Sequence, residues 1–170
     1  MTSHWIRTPH LVAAALLAAL AAGCGYHLRG SLDLPPALAR PYVSGPEPLR
    51  GEVEAALRAA GAAPVRNPAR ATAVVELGGH QAGRRTRSVS GSSARVLEYE
   101  LYETVTVALR GPGGRRLLAA ATVTLARPYL YDRTQALGAS DQEALIRAEL
   151  RRDLVARILR RLGAIGASSR

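Results

Sequence analysis

The sequence predicts an α+β domain: a two-layer sandwich in which a four-stranded, mostly antiparallel sheet carries two helices on one face, in the order β-α-β-β-β-α. Three observations predict it. Apolar and polar residues alternate over 97–110 and again over 117–125, with Gly111-Pro112-Gly113-Gly114 between them, which is the pattern of an antiparallel hairpin with one buried face. Apolar residues recur at helical spacing both before and after that hairpin. Finally, 170 residues with 4% aromatics and no Phe provide for one domain whose core is filled by Leu, Val, Ile and Ala.

The elements follow in order. Residues 25–48 contain five prolines (Pro35, Pro36, Pro41, Pro46 and Pro48) and read as an extended lead-in with a short strand around 39–43. Leu49, Val53, Leu57 and Ala60 then recur at helical spacing, with Pro48 at the start, Glu52 and Glu54 early and Gly61 as a stop. This predicts a first helix over 48–60. Residues 71–77 read as a strand, followed by a polar segment over 78–93. In the hairpin, Leu97, Tyr99, Leu101, Val105, Val107 and Leu109 share one face, while Glu98, Glu100, Thr104, Thr106 and Arg110 share the other. Leu117, Ala119, Ala121, Val123 and Leu125 return in the same period. A second helix is predicted from Ser140 or Asp141 to Leu162, ended by Gly163 and Gly166. Its first turn carries Asp141 and Glu143, and Arg157, Arg160 and Arg161 near its end complement the helix dipole. Ala144, Ala148, Val155, Ile158, Leu159 and Leu162 form one apolar stripe; Ile146, Leu150 and Leu154 form a second, roughly opposite. Either part of the second stripe lies under the lead-in or the first helix, or the stripe binds another protein, and Ile146, Leu150 and Leu154 are its candidate partner-binding residues.

The chain carries 23 basic and 13 acidic residues, net +10, and every basic residue is arginine. Its single cysteine excludes an internal disulfide framework and a cysteine zinc cage. The first residues account for that cysteine. Arg7 is the only formal side-chain charge before Leu11, and Leu11 to Ala22 is an unbroken run of Leu, Val and Ala. As a helix that run reaches about 18 Å, short of a hydrocarbon core of about 30 Å, so it reads as a secretory signal. Ala21-Ala22-Gly23-Cys24 resembles a bacterial lipobox, which makes Cys24 the lipidated first residue of the mature chain; the plainer alternative is a secretory signal that leaves a free thiol. Gly25, where Asp would resemble an inner-membrane retention signal, favours the outer membrane. The predicted organisation is a signal peptide over 1–23, a lipidated lead-in over 24–36, one domain over 37–163 and a tail over 164–170. The mature part keeps a net charge of +9. In a periplasm-facing protein that charge points to lipopolysaccharide and away from nucleic acid.

No catalytic motif stands out: G-x-S-x-G, Walker, dinucleotide-glycine and H-E-x-x-H patterns do not occur. His27 and His80 have no partner at ligand spacing, and neither a metal nor a cofactor is expected. Asp132 and Asp141 offer a carboxylate pair in principle, with helix capping the commoner role for the second. The basic constellation is more informative. Arg84, Arg85 and Arg87 fall within four positions, amid serines and a threonine, with no acid over 78–94 and Arg95 just beyond. Guanidinium groups bind phosphate oxygens through paired hydrogen bonds. The bland alternative is a solvated turn.

Cys24-Gly25-Tyr26-His27-Leu28-Arg29-Gly30 resembles the opening of the LPS-assembly lipoprotein family (LptE), where a lipidated Cys is followed by Gly, an aromatic residue and His-Leu-Arg. The likeness continues through Leu34-Pro35, Pro48-Leu49-Arg50 to Gly61, Ser88-Val89, Glu98-Tyr99, Ala136-Leu137 and Ile158-Leu159-Arg160-Arg161-Leu162. It implies a domain of four strands and two helices. It also implies a non-enzymatic lipoprotein that plugs the LPS-exporting outer-membrane β-barrel LptD, assists its folding, and interacts with lipopolysaccharide on its way to the cell surface. In the family a basic residue just after the Ser-Val pair and another just after the Ala-Leu pair are associated with LPS contact. Here those places hold Gly91 or Ser92 and Ala139, so the contact is expected from Arg84, Arg85, Arg87 or Arg95, and from Arg133 near the second site. The alternatives are a periplasmic adaptor lipoprotein of another envelope transport complex and a peptidoglycan-associated or purely structural lipoprotein.

Overall fold

The computed structural model describes residues 34–89, 91, 96–130 and 136–167. Its principal elements are β1 (Pro41–Ser44), α1 (Leu49–Ala59), β2 (Ala73–Val89), β3 (Val96–Arg110), β4 (Arg116–Leu130) and α2 (Ala136–Ala167). Among these residues the strands form one four-stranded sheet in the order β1-β2-β3-β4. β1 runs parallel to β2 across the α1 crossover, and the other two pairings are antiparallel. The predicted α+β class and element order are those observed.

Register explains why one face is dry. Val43 pairs with Val75, Val75 with Leu109, Leu77 with Val107, and Val105 with Val123. All are buried, together with Leu49, Val53 and Leu57 of α1 and Leu154, Val155, Ile158, Leu159 and Leu162 of α2. Both helices therefore cover the same side of the sheet. Each fully buried Leu, Val or Ile contributes about 1.5–3 kcal/mol, so these rows rather than polar contacts hold the layers together. On the opposite face Thr104 meets Thr124 and Thr106 meets Thr122 through hydroxyl hydrogen bonds.

α1 ends as its sequence predicts. Gly61 takes φ +91°, its N–H donates to Arg58 O, and Ala62 N–H donates to Leu57 O, while Ala62 packs into the core. This paired closure needs a residue free to adopt positive φ, which is glycine's role. α2 differs from expectation at both ends. It begins at Ala136 and runs through Gly163 to Ala167. Glycine in a helix costs about 1 kcal/mol, and Ile165, packed against the core beyond it, offsets that cost. Asp141 consequently sits inside the helix, not at its start.

The largest departure concerns 78–89, read from sequence as a polar segment and found as the second half of β2. β3 is long enough to pair with it, Gln81 to Thr104 through Val89 to Val96. Between Gly78 and Gln81 the register shifts by one residue, with Gly79 at φ +57°. This is a β-bulge, and it reverses which residues face the helices: odd-numbered ones before it, even-numbered ones after it as far as Thr86, beyond which the register shifts again. A second shift, between Val107 and Leu109, sets Leu118 opposite Leu109, so Leu117 and Leu118 pack on the core and Ala119, expected inside, is exposed.

Candidate functional site

The bulge decides the fate of the arginine run. Arg84 lies on the helix side of the sheet, opposite Leu101, whereas Arg85 pairs with Glu100 in the ladder and faces away. The three guanidiniums thus do not converge on one point.

On the helix side, Arg84 stacks over Tyr99, its guanidinium carbon 4.3 Å from the ring centroid, and Nη1 donates to Glu143 Oε2 of α2 at 3.1 Å. Tyr129 Oη donates to the same oxygen at 2.7 Å, with its ring 5.9 Å from that of Tyr99. Burial alone would raise the pKa of Glu143; the Tyr129 hydroxyl and the charges of Arg147 and Arg84 outweigh it and hold the carboxyl below its ordinary range. Tyr129 is pushed up, by burial first and then by its bond to that carboxylate. The contact with Tyr129, then the charge of Glu143, raises Arg84.

On the open side, Arg85 Nε donates to Glu100 Oε1 at 2.7 Å, and Arg87 Nη1 reaches Glu100 Oε2 at 3.4 Å with Glu98 beside it. Arg85 also stands 5.7 Å from the Tyr102 ring centroid. Gly83 makes this possible: a Cβ there would come within 2.7 Å of the Tyr102 hydroxyl, so only glycine lets the ring lie across β2. The missing acids of the arginine run are supplied by β3 and α2.

A third polar group was not foreseen. Glu103 follows the parity of Leu101 and Val105 and is only 3% exposed, on the apolar side of the sheet. His80 Nε2 lies 2.7 Å from its Oε1, Arg151 of α2 binds the same oxygen, and Arg151 Nη1 reaches Glu52 of α1 at 3.4 Å. The network ties β2, β3, α1 and α2 together. The available signal was an acid at an apolar position of an alternating strand.

The expectation that Ile146, Leu150 and Leu154 form a partner surface is corrected. Leu154 is fully buried in the main core; Leu150, 2% exposed, packs with Leu101 and Tyr129; and Ile146 packs beside them. Two apolar stripes on α2 reflect two neighbours within the domain, the α1 side and the far half of the sheet. Exposed Ala144 and Ala148 leave the first stripe only partly buried. Cys24, Arg95 and Arg133 lie outside the described residues. Gly91 is exposed beyond the end of β2. Val89 pairs with Val96 and Glu98 with Leu130, so the end of β2, the start of β3 and the end of β4 lie at the same end of the sheet.

Among the described residues no group of His, Cys, Asp and Glu could hold a metal ion, and no helix is long and apolar enough to cross a membrane. What the geometry defines is a small sheet-and-helix module with carboxylate-braced arginines at one end of its sheet. The chain belongs to the lipopolysaccharide-assembly family LptE, whose model matches residues 37–162. Its fold is similar to three solved lipoprotein structures. Uncharacterized lipoprotein B from Nitrosomonas europaea is 24% identical with a TM-score of 0.73, over 85% of this chain and 94% of that one. Rare lipoprotein B from Shewanella oneidensis is 25% identical with a TM-score of 0.63, over 76% and 96%. A minor lipoprotein from Acinetobacter baumannii is 23% identical with a TM-score of 0.61, over 75% and 92%. No curated protein matches the sequence.

Proposed function

We propose that this chain is an outer-membrane lipoprotein, anchored through lipid on Cys24, that plugs and assists assembly of an LptD-like LPS-exporting β-barrel and interacts with lipopolysaccharide in transit. Its work is binding and assembly rather than catalysis. The observation that carries the reading is the family match over 37–162, and the lipobox-like Ala21-Ala22-Gly23-Cys24 adds the anchor. Several acyl chains, at about 0.8 kcal/mol per buried methylene, hold a protein of this size to a membrane firmly. The sheet end carrying Arg84, Arg85 and Arg87 is one LPS contact. Each of these guanidiniums already has a carboxylate partner, so a phosphate there displaces an existing bond and gains only the difference.

Extraction of the tagged full chain from outer membranes in mild detergent tests this reading. A large β-barrel in one-to-one ratio is expected. Recovery of a different envelope transport complex instead would support the adaptor alternative and refute the plug. Fatty-acid analogue labelling should tag the wild type and not Cys24→Ser.

A further inference from the structure

We propose that Arg157, Arg160 and Arg161 of α2 form a second anion site, facing β4, that takes a phosphate-bearing headgroup; this rests on the LPS-handling reading above. The i, i+3, i+4 spacing sets the three side chains on one ridge within about 6 Å of helix rise. With Val123 they line an open depression between α2 and the edge strand β4. All three are exposed, and Val123 forms an apolar floor.

Their clustering in surroundings without acids is the second observation. The same α2 ridge begins with Glu149 and Asp153, which grip Arg127 of β4. One turn further the ridge turns basic, while Val123 and the β4 residues before it, Ala119-Ala120-Ala121-Thr122, include no acid, and residues 154–170 include none. Among the described residues none of the three forms an ion pair, unlike Arg84, Arg85, Arg87, Arg127, Arg147 and Arg151; Arg40, Arg66, Arg70, Arg115, Arg116 and Arg152 form none either, and what the three add is that they line one depression together. The helix dipole does not account for them either. It acts within the last turn, but α2 continues six residues past Arg161 and has no basic residue in its last turn. Three like charges at this spacing repel one another, so folding alone disfavours the cluster. A ligand with several phosphate groups removes that repulsion and matches the forked guanidinium donors.

The test uses the full-length protein in detergent, titrated at about 0.15 M salt, where long-range attraction is screened beyond about 8 Å. The probes are purified lipopolysaccharide, the same lipopolysaccharide stripped of phosphate, and inorganic pyrophosphate. Changing Arg157, Arg160 and Arg161 together to Gln should weaken binding of intact lipopolysaccharide roughly tenfold or more, given charge-assisted bonds lost from an unneutralised site. The triple change of Arg84, Arg85 and Arg87 to Gln should weaken it by less than about threefold, because their charges are already balanced. Far-UV dichroism should be unchanged, and each single Arg→Gln change should give a graded loss. Pyrophosphate competing as well as intact lipopolysaccharide assigns the site to phosphate itself; preference for the lipid form assigns it to the headgroup. Either outcome, with the stripped probe binding poorly, supports the site. Equal losses in the two triple variants would show that only net charge matters and overturn it. So would unchanged lipopolysaccharide binding, and with loss of the co-purifying barrel that result would give the arginines to an acidic protein surface. Persistence of the barrel complex while the site fails leaves the assembly reading standing.

Discussion

Replacing Arg151 by Ala should damage the domain more than replacing Glu103 by Leu, although the two share a bond. Arg151 is partly exposed and has two acids within reach, Glu103 and Glu52. If Glu103 becomes Leu, Arg151 keeps Glu52 and access to water, and the new Leu fills an apolar position between Leu101 and Val105. Burial of that side chain returns about 1.5–3 kcal/mol, offsetting most of the lost pairing, so a net cost of at most about 1 kcal/mol is expected. If Arg151 becomes Ala, Glu103 is left almost wholly buried with His80 as its remaining neighbour. Breaking a buried pair from one side costs about 3–5 kcal/mol, and His80 brings this toward the lower end. With a urea slope of about 1–3 kcal/mol/M, the Arg151→Ala midpoint should fall by about 1–3 M, against about 0.5 M for Glu103→Leu. Urea unfolding of the detergent-solubilised chain, followed by far-UV dichroism, reads both. Adding Glu103→Leu to Arg151→Ala should recover stability, since no buried carboxylate then remains. Equal midpoints for the two single variants, or no recovery in the double one, would refute the account.

Two further outcomes follow from burial and charge. Leu150→Asp should unfold the domain about as severely as Ile158→Asp, a cost above about 3 kcal/mol, whereas Ala148→Asp, on the exposed side of α2, should leave the midpoint within about 0.5 kcal/mol of the wild type; a folded Leu150→Asp variant would return the stripe to the surface. Because the folded-state pKa of Glu143 is lowered, its contribution is complete above the unfolded carboxylate pKa of about 4.3 and is lost as pH falls through the folded value, so Glu143→Gln should flatten the acid limb of stability measured below about pH 5 and leave its shape at pH 7–8 unchanged.

Much of the architecture was legible in residue order. Alternation over 97–110, broken at Glu103, specifies a strand with one wet face whatever it pairs with, and Leu49, Val53, Leu57 and Gly61 specify a helix and its end, because both patterns depend on local backbone geometry. The apolar run ahead of Cys24 is likewise a local signal. The candidate site was less legible. Arg84, Arg85 and Arg87 were visible as a basic run, but their separation onto two faces depends on one extra residue between Gly78 and Gln81, and nothing in a Gly-Gly-His-Gln stretch announces which strand register it will adopt.

Neutralisation lies further still from local sequence. Glu143 comes from 59 positions beyond Arg84, and Glu100 from 15 beyond Arg85. A run without acids therefore proves balanced, while Arg157, Arg160 and Arg161, which read as dipole partners, form no ion pair among the described residues and lie before the last turn because α2 passes Gly163. Likewise, two stripes on a helix say that it has two neighbours without saying whose. The order of residues determined the elements, since helix and strand periods are short-range. Tertiary packing alone decided which charges meet, because Coulomb and hydrogen-bond partners are chosen by distance in space, and that distance is set by register, bulges and the length of a helix past its expected end.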